Sequence, residues 1–264
     1  MSLFKKIKLV TFDVTNTLLK FRRSQGEQYG EIGAMFGVLR DNNQLYENFK
    51  SNWWRMNQQH PNFGLNEPGM GWRNWWRALI RETFLDSLSL DPNAPGMTVN
   101  EKKLEHIADH LIDAYQTSAC WQQCYGSGEI LQYLSDNKIT MGVVSNFDPR
   151  LPGLLKNMKI KDHFSFAMCS YEAKAQKPDE EIFNKALEEG QNIIPNLQPS
   201  EVLHIGDTGL LDYKGARDAG WNAILIHERD PELLAKKYKF LDPKHVYRSL
   251  YDLHRNIIND SVEL

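Results

Sequence analysis

From Gly126 and Gly128 onward, short apolar β-branched runs alternate with short helical patterns, and this alternation most narrows the choice of fold. Glu129–Asn137 reads as a helix, Ile139–Val144 as a strand, Leu151–Met158 as a helix and Phe164–Met168 as a short strand. A helix over Glu180–Glu189 follows Pro178, a residue suited to a first helical turn. Strands over Glu201–Ile205 and Asn222–Ile226 flank a helix at Tyr213–Ala219, and a last helix covers Leu250–Ile258. Strands alternating with helices predict an α/β fold with a doubly wound, mostly parallel, Rossmann-like sheet.

One further strand pattern, Ile7–Phe12, stands far upstream, and it ends in the polar cluster Asp13, Thr15, Asn16, Thr17. Between it and the alternating region lie about 100 residues of helical pattern with no strand signal. Gly26–Arg40, Asn42–Met56, a run holding Trp72, Trp75, Trp76, Leu79, Ile80 and Phe84, and Val99–Ser118 each show helical spacing. Breaker-rich loops fall at His60–Gly69 and Leu90–Met97. The expected organisation is an α/β core of 1–17 and 126–264, with 18–125 inserted after the first strand as an α-helical cap subdomain. Five tryptophans between Trp53 and Trp76 are expected to form the core of that insertion.

Charge and cysteine content narrow the function classes. A formal net charge of −3 carries no broad basic field, which argues against nucleic acid. No apolar run approaches the roughly 20 residues that span a bilayer. Cys120, Cys124 and Cys169 cannot all pair, and no signal peptide precedes the first strand; both point to a reducing, intracellular (cytoplasmic) setting.

In an open parallel sheet, ligands bind beyond the carboxyl ends of the strands. If the strands ending near Asp13, Ser145 and Asp207 lie side by side, those residues converge at one sheet edge. Asp13 and Asp207 then suit Mg2+, which takes one or two carboxylates and keeps several waters. Ser145 and the Asn146 amide are donors for a phosphoryl oxygen, and Lys177 is a compensating cation. A carboxylate attacking phosphorus meets charge repulsion, which a metal ion and an ammonium relieve.

The stretches DVTNTL (Asp13–Leu18), VSN (Val144–Asn146), KP (Lys177–Pro178) and GDTGLLD (Gly206–Asp212) resemble the four motifs of the haloacid dehalogenase superfamily. The spacing is similar to members with a helical cap after the first strand, and SNFD, AQKPD and NWW resemble its rhythmically expressed gene 2 protein subfamily. The resemblance implies a Mg2+-dependent phosphatase or phosphotransferase acting on a small phosphorylated metabolite. Asp13 would be the nucleophile; the Thr15 carbonyl and Asp207 would bind the metal; Thr17, Ser145 and Lys177 would hold the phosphoryl group. Asp212 would orient Lys177 or a water on the metal. In the cap loop, His60, Asn62 and Phe63 are candidates for reading the substrate, whereas His204 reads as a packed sheet histidine. One departure stands out: such phosphatases usually carry a second Asp at the position of Thr15, as general acid and base. A threonine there leaves two other readings open, a non-catalytic binding protein and a dehalogenase-like hydrolase working through an Asp13 ester.

Overall fold

The computed structural model describes residues 6–86 and 100–264. Leu90–Met97, expected as a loop, and Val99, the first residue of the last helix expected in the insertion, lie outside the described residues. Eight strands are present among the described residues: β1 (Leu9–Phe12), β2 (Leu19–Phe21), β3 (Trp121–Gln123), β4 (Thr140–Ser145), β5 (Phe166–Cys169), β6 (Val202–Gly206), β7 (Asn222–Ile226) and β8 (Val246–Tyr247). Six of them form a parallel sheet in the order β5-β4-β1-β6-β7-β8. Every residue of β1, β6 and β7 is buried, as expected of strands covered on both faces. Helices Glu180–Ile193 and Leu250–Ile258 contribute buried apolar residues at helical spacing, among them Ile182, Phe183, Ala186, Leu250, Leu253 and Ile257.

Because β1 is central, the chain leaves it with a neighbour on each side, and the crevice of a doubly wound sheet opens at such a point. Phe12 is in register with Val143 of β4 and Ile205 of β6, so the residues just after all three lie level at one edge. Asp13, Ser145 and Asp207 therefore share that edge.

The chain divides into two compact units, 1–20 with 122–264, and 21–121. Strands β2 and β3 pair with each other as a two-stranded sheet. They correct the expectation of an insertion without strands: each is only three residues long, too short for a period of two to register. Within 21–121, helix Gln25–Met35 starts at a capping box of Ser24 and Glu27, and Asp41 caps Asn42–Gln59. Helices Gly71–Asp86 and Glu101–Ala114 complete the unit. Gly26 lets the first two helices approach, since a Cβ there would lie 2.0 Å from the Asn42 carbonyl oxygen. The core includes Tyr29, Leu45, Trp75, Leu79, Phe84 and Ile107. Trp75 is fully buried with its ring against Trp53, Trp76 and Phe63, whereas Trp54 is exposed. No described helix is long and apolar enough to cross a membrane.

Candidate active site

Beyond β1 the backbone turns tightly, with the amides of Thr17, Leu18 and Leu19 all directed at the Val14 carbonyl. Asn16 takes the left-handed conformation (φ 60°), which an Asn tolerates better than most residues. This turn leaves Asp13 at the strand end, its amide donating to Ile205 O of the neighbouring strand. Thr17 is fully buried, and its hydroxyl has no hydrogen-bond partner. A buried hydroxyl left unpaired is costly, and this one keeps its donor unspent at the sheet edge.

Lys177 reaches the same edge from the segment before helix Glu180–Ile193. Its ammonium donates to Asp13 Oδ1 (2.7 Å), Asp212 Oδ1 (2.5 Å) and the Val144 carbonyl (2.9 Å). All three of its protons are thereby used. The Asn146 side chain clamps the Lys177 backbone, accepting from its amide (2.7 Å) and donating to its carbonyl (2.9 Å). The backbone amide of Asn146 is the expected donor to a phosphoryl oxygen, and its carboxamide in addition fixes Lys177. Ser145 ends β4, buried beside Asn146.

Asp212 comes close because residue 206 is glycine: a Cβ at Gly206 would lie 2.2 Å from the Asp212 Cγ. Asp212 Oδ1 accepts from Lys177 and lies 3.1 Å from His204 Nε2, while Oδ2 accepts from the Thr208 amide. Both oxygens are taken up. Asp212, expected to orient Lys177 or a water on the metal, holds the Lys177 ammonium. The helix expected at Tyr213–Ala219 begins earlier, with a wide π-helical turn over Gly209–Lys214 that carries Asp212, followed by Gly215–Asp218.

The electrostatics follow from burial. Burial alone would push Lys177 down, but Asp13 and Asp212 outweigh it and hold the ammonium above its ordinary value. For Asp212 burial raises the pKa, yet Lys177 and His204 prevail and keep it far below the usual carboxylate range. Asp13 is raised by burial, partly offset by Lys177. Asp207 is raised to about 7, first by burial and then by Asp13 and Asp212. Asp13 and Asp207 thus resist ionising side by side, and a cation between them would favour their charged forms.

The residues present fit Mg2+ on these grounds. Among the described residues, no three His, Cys, Asp or Glu side chains converge as a metal cage. A hard cation that binds through two carboxylates, a carbonyl and water needs none.

Beside Thr17 and Asp207 a cleft of about 310 Å³ opens, lined also by Lys20, Cys124, Tyr125 and Arg248. Sequence reasoning missed these four residues, which come from separate segments that only the fold assembles. The Cys124 thiol is pushed up to about 12, chiefly by burial, and so stays protonated. Sequence reasoning also missed Thr11 and the hydrogen bonds of His204. Their only signal was a polar side chain inside each of two apolar strands. In the second unit, His60 bonds Glu67 (Nδ1 to Oε2, 2.6 Å) and accepts the Trp75 indole at its carbonyl. Asn62 and Phe63 adopt left-handed backbone, and the Phe63 ring is buried against Trp75 and Trp76.

A family model described as haloacid dehalogenase-like hydrolase matches residues 7–220. The chain belongs to the haloacid dehalogenase-like hydrolases. Among relatives in that family, it is similar to the Rhythmically expressed gene 2 protein of Drosophila melanogaster, 48% identical over 263 residues and 97% of each chain. It is also similar to haloacid dehalogenase-like hydrolase domain-containing protein 3 of Danio rerio, 32% identical over 94% of this chain and 95% of the relative. Its fold is like that of the HAD-hydrolase YfnB from Bacillus subtilis bound to magnesium (TM-score 0.64, 18% identity, 96% and 99% of the two chains).

Proposed function

We propose that this hydrolase is a Mg2+-dependent phosphatase or phosphotransferase acting on small phosphorylated metabolites through an aspartyl-phosphate on Asp13. The observation that carries the reading is the buried Asp13–Lys177–Asp212 array with Asp207 beside it at one sheet edge. A carbon–halogen displacement has no need of the added cation that Asp13 and Asp207 together suit. Asp13, the Thr15 carbonyl and Asp207 would hold Mg2+, which when bound supplies positive charge to the phosphoryl oxygens.

With Oδ1 held by Lys177, Asp13 Oδ2 attacks phosphorus while the bond to the leaving oxygen breaks. The Thr17 hydroxyl and Ser145 bind phosphoryl oxygens whose charge Lys177 balances. Thr15 has no carboxyl group, so the leaving oxygen takes its proton from solvent. In the second step water attacks the phosphorus, the bond to Asp13 breaks and inorganic phosphate leaves; an acceptor alcohol in place of water would make the reaction a transfer.

The test combines ligand binding and turnover. Mg2+ with beryllofluoride should raise the melting temperature of the wild-type protein, since a ligand of the folded state must do so. That response and hydrolysis of p-nitrophenyl phosphate should both be lost in Asp13→Asn. Activity surviving in Asp13→Asn overturns the mechanism. Absence of both responses in the wild type favours a non-catalytic binding protein.

A further inference from the structure

Behind Lys177, a line of buried hydrogen bonds runs from the centre of the sheet to the nucleophile. Thr11 Oγ1 lies 2.8 Å from His204 Nδ1, and His204 Nε2 lies 3.1 Å from Asp212 Oδ1. Asp212 accepts from Lys177, and Lys177 donates to Asp13. All five side chains are buried. Thr11 and His204 face each other in register across β1 and β6, and the Phe183 ring packs on the imidazole in a T-shaped contact (centroids 5.6 Å, 82°). The sheet itself therefore fixes the ring.

The direction of this line follows from donor inventory. Asp212, ionised against Lys177, can only accept, so His204 Nε2 must carry hydrogen. In a neutral ring Nδ1 is then an acceptor, and the Thr11 hydroxyl donates to it. Burial pushes the imidazole pKa below its ordinary value, in keeping with a neutral ring.

We propose that His204 is a positioning residue: set as the Nε2–H tautomer by the Asp212 carboxylate and steadied by the Thr11 hydroxyl at Nδ1, it donates to Asp212 and aims that carboxylate so that Lys177 stays on Asp13. The proposal rests on the reading of Asp13 and Lys177 as the phosphoryl-transfer centre. Without the His204 donor, Asp212 is held by Lys177 and the Thr208 amide alone. The carboxylate can then turn, and the ammonium drifts from Asp13. Neither His204 nor Thr11 lines the cleft beside Thr17 and Asp207, so neither touches a substrate held there.

Two measurements on the full chain test this. Nitrogen-15 NMR of histidine-labelled protein, with His204 assigned by its loss in His204→Gln, should show the Nε2–H tautomer at neutral pH. Thr11→Val, equal in shape but without the hydroxyl, should keep that tautomer, because Asp212 still sets it, and should shift the Nδ1 resonance to that of a nitrogen without a hydrogen-bond donor. In kinetics with p-nitrophenyl phosphate, His204→Leu should lower kcat about 10- to 100-fold, the usual cost of losing a supporting hydrogen bond. KM should stay within about twofold, the mark of an interaction that matters to chemistry rather than binding. His204→Gln, which returns an N–H near the ε position, should recover most of kcat. An Nδ1–H tautomer, an imidazolium signature or an unchanged kcat in His204→Leu overturns the proposal. If His204→Leu does not fold, Thr11→Val and His204→Gln carry the test. If the wild type hydrolyses nothing, the phosphatase reading fails, while the tautomer and the Thr11 hydrogen bond to Nδ1 are still read by NMR.

Discussion

The Lys177 ammonium sits 2.7 Å from Asp13 Oδ1 in a site from which water is almost excluded, and it spends its other two protons on Asp212 and Val144. The lysine is thus a buried structural ion, shared by two carboxylates that no other described cation pairs with.

Lys177→Met should therefore destabilise the protein as well as silence it. Removing one partner of a buried ion pair typically costs about 3–5 kcal/mol, because the remaining charge is left uncompensated. Urea unfolding at pH 7 measures this loss. Lys177→Met/Asp212→Asn should recover part of it, since the second change removes one of the stranded charges. A double variant no more stable than Lys177→Met would show that Asp212 is not what Lys177 compensates.

Thr15→Asp supplies the carboxyl group that proton transfer to the leaving group lacks. Turnover should rise by up to about 10²-fold, the low end of general acid–base effects, and more for alkyl than for aryl phosphates. A good leaving group departs without a proton, so the ratio of the two rates is the diagnostic. Steady-state rates on both substrate types, with acid-quench trapping of the phosphoenzyme, make the comparison. Equal gains on both would mean that protonation of the leaving group is not the missing step.

Phe63 was a candidate for reading the substrate, and its burial against Trp75 and Trp76 makes it part of the core of its own unit. Phe63→Ala should cost about 3–5 kcal/mol, as for other buried aromatics cut to alanine. Tryptophan fluorescence during urea unfolding reports it. An unchanged midpoint with an altered substrate profile would return Phe63 to a ligand-facing role.

Acid should weaken the fold through His245, which is buried with its Nδ1 2.7 Å from the Tyr213 hydroxyl. Burial lowers the His245 pKa from the ordinary 6.5. Below pH 6.5 the unfolded chain takes up a proton that the folded chain refuses, so stability falls as pH falls. The loss ends once pH drops below the folded value, where both states are protonated. His245→Gln should show a shallower acid-side decline between pH 6.5 and 5 by urea titration. Parallel declines in the two proteins would assign the acid loss to other groups.

Elements whose burial gives them a strong period were legible in the chain alone. Asn222–Ile226 and Leu250–Ile258 end where their patterns end. The parallel sheet follows from the alternation of strands and helices, because two-sided burial leaves near-continuous apolar runs. Asp13, Ser145 and Asp207 were readable as site candidates because each is a polar residue at the end or just beyond such a run, and parallel strands bring those ends together.

Tertiary structure decided what depends on contact between distant segments. β2 and β3 exist because two three-residue pieces about 100 positions apart meet, and neither has a period of its own. Asn146 became a clamp on Lys177, 31 positions away, and Asp212 could gather Lys177, His204 and the Thr208 amide because Gly206 let its loop close. His204 could be read as a packed strand residue, but its place between Thr11 and Asp212 depends on strand register, to which a single strand's pattern is blind. Composition and periodicity record which residues avoid water. A hydrogen bond between residues 193 positions apart, like that of Thr11 with His204, is set by the one arrangement of strands that buries them all.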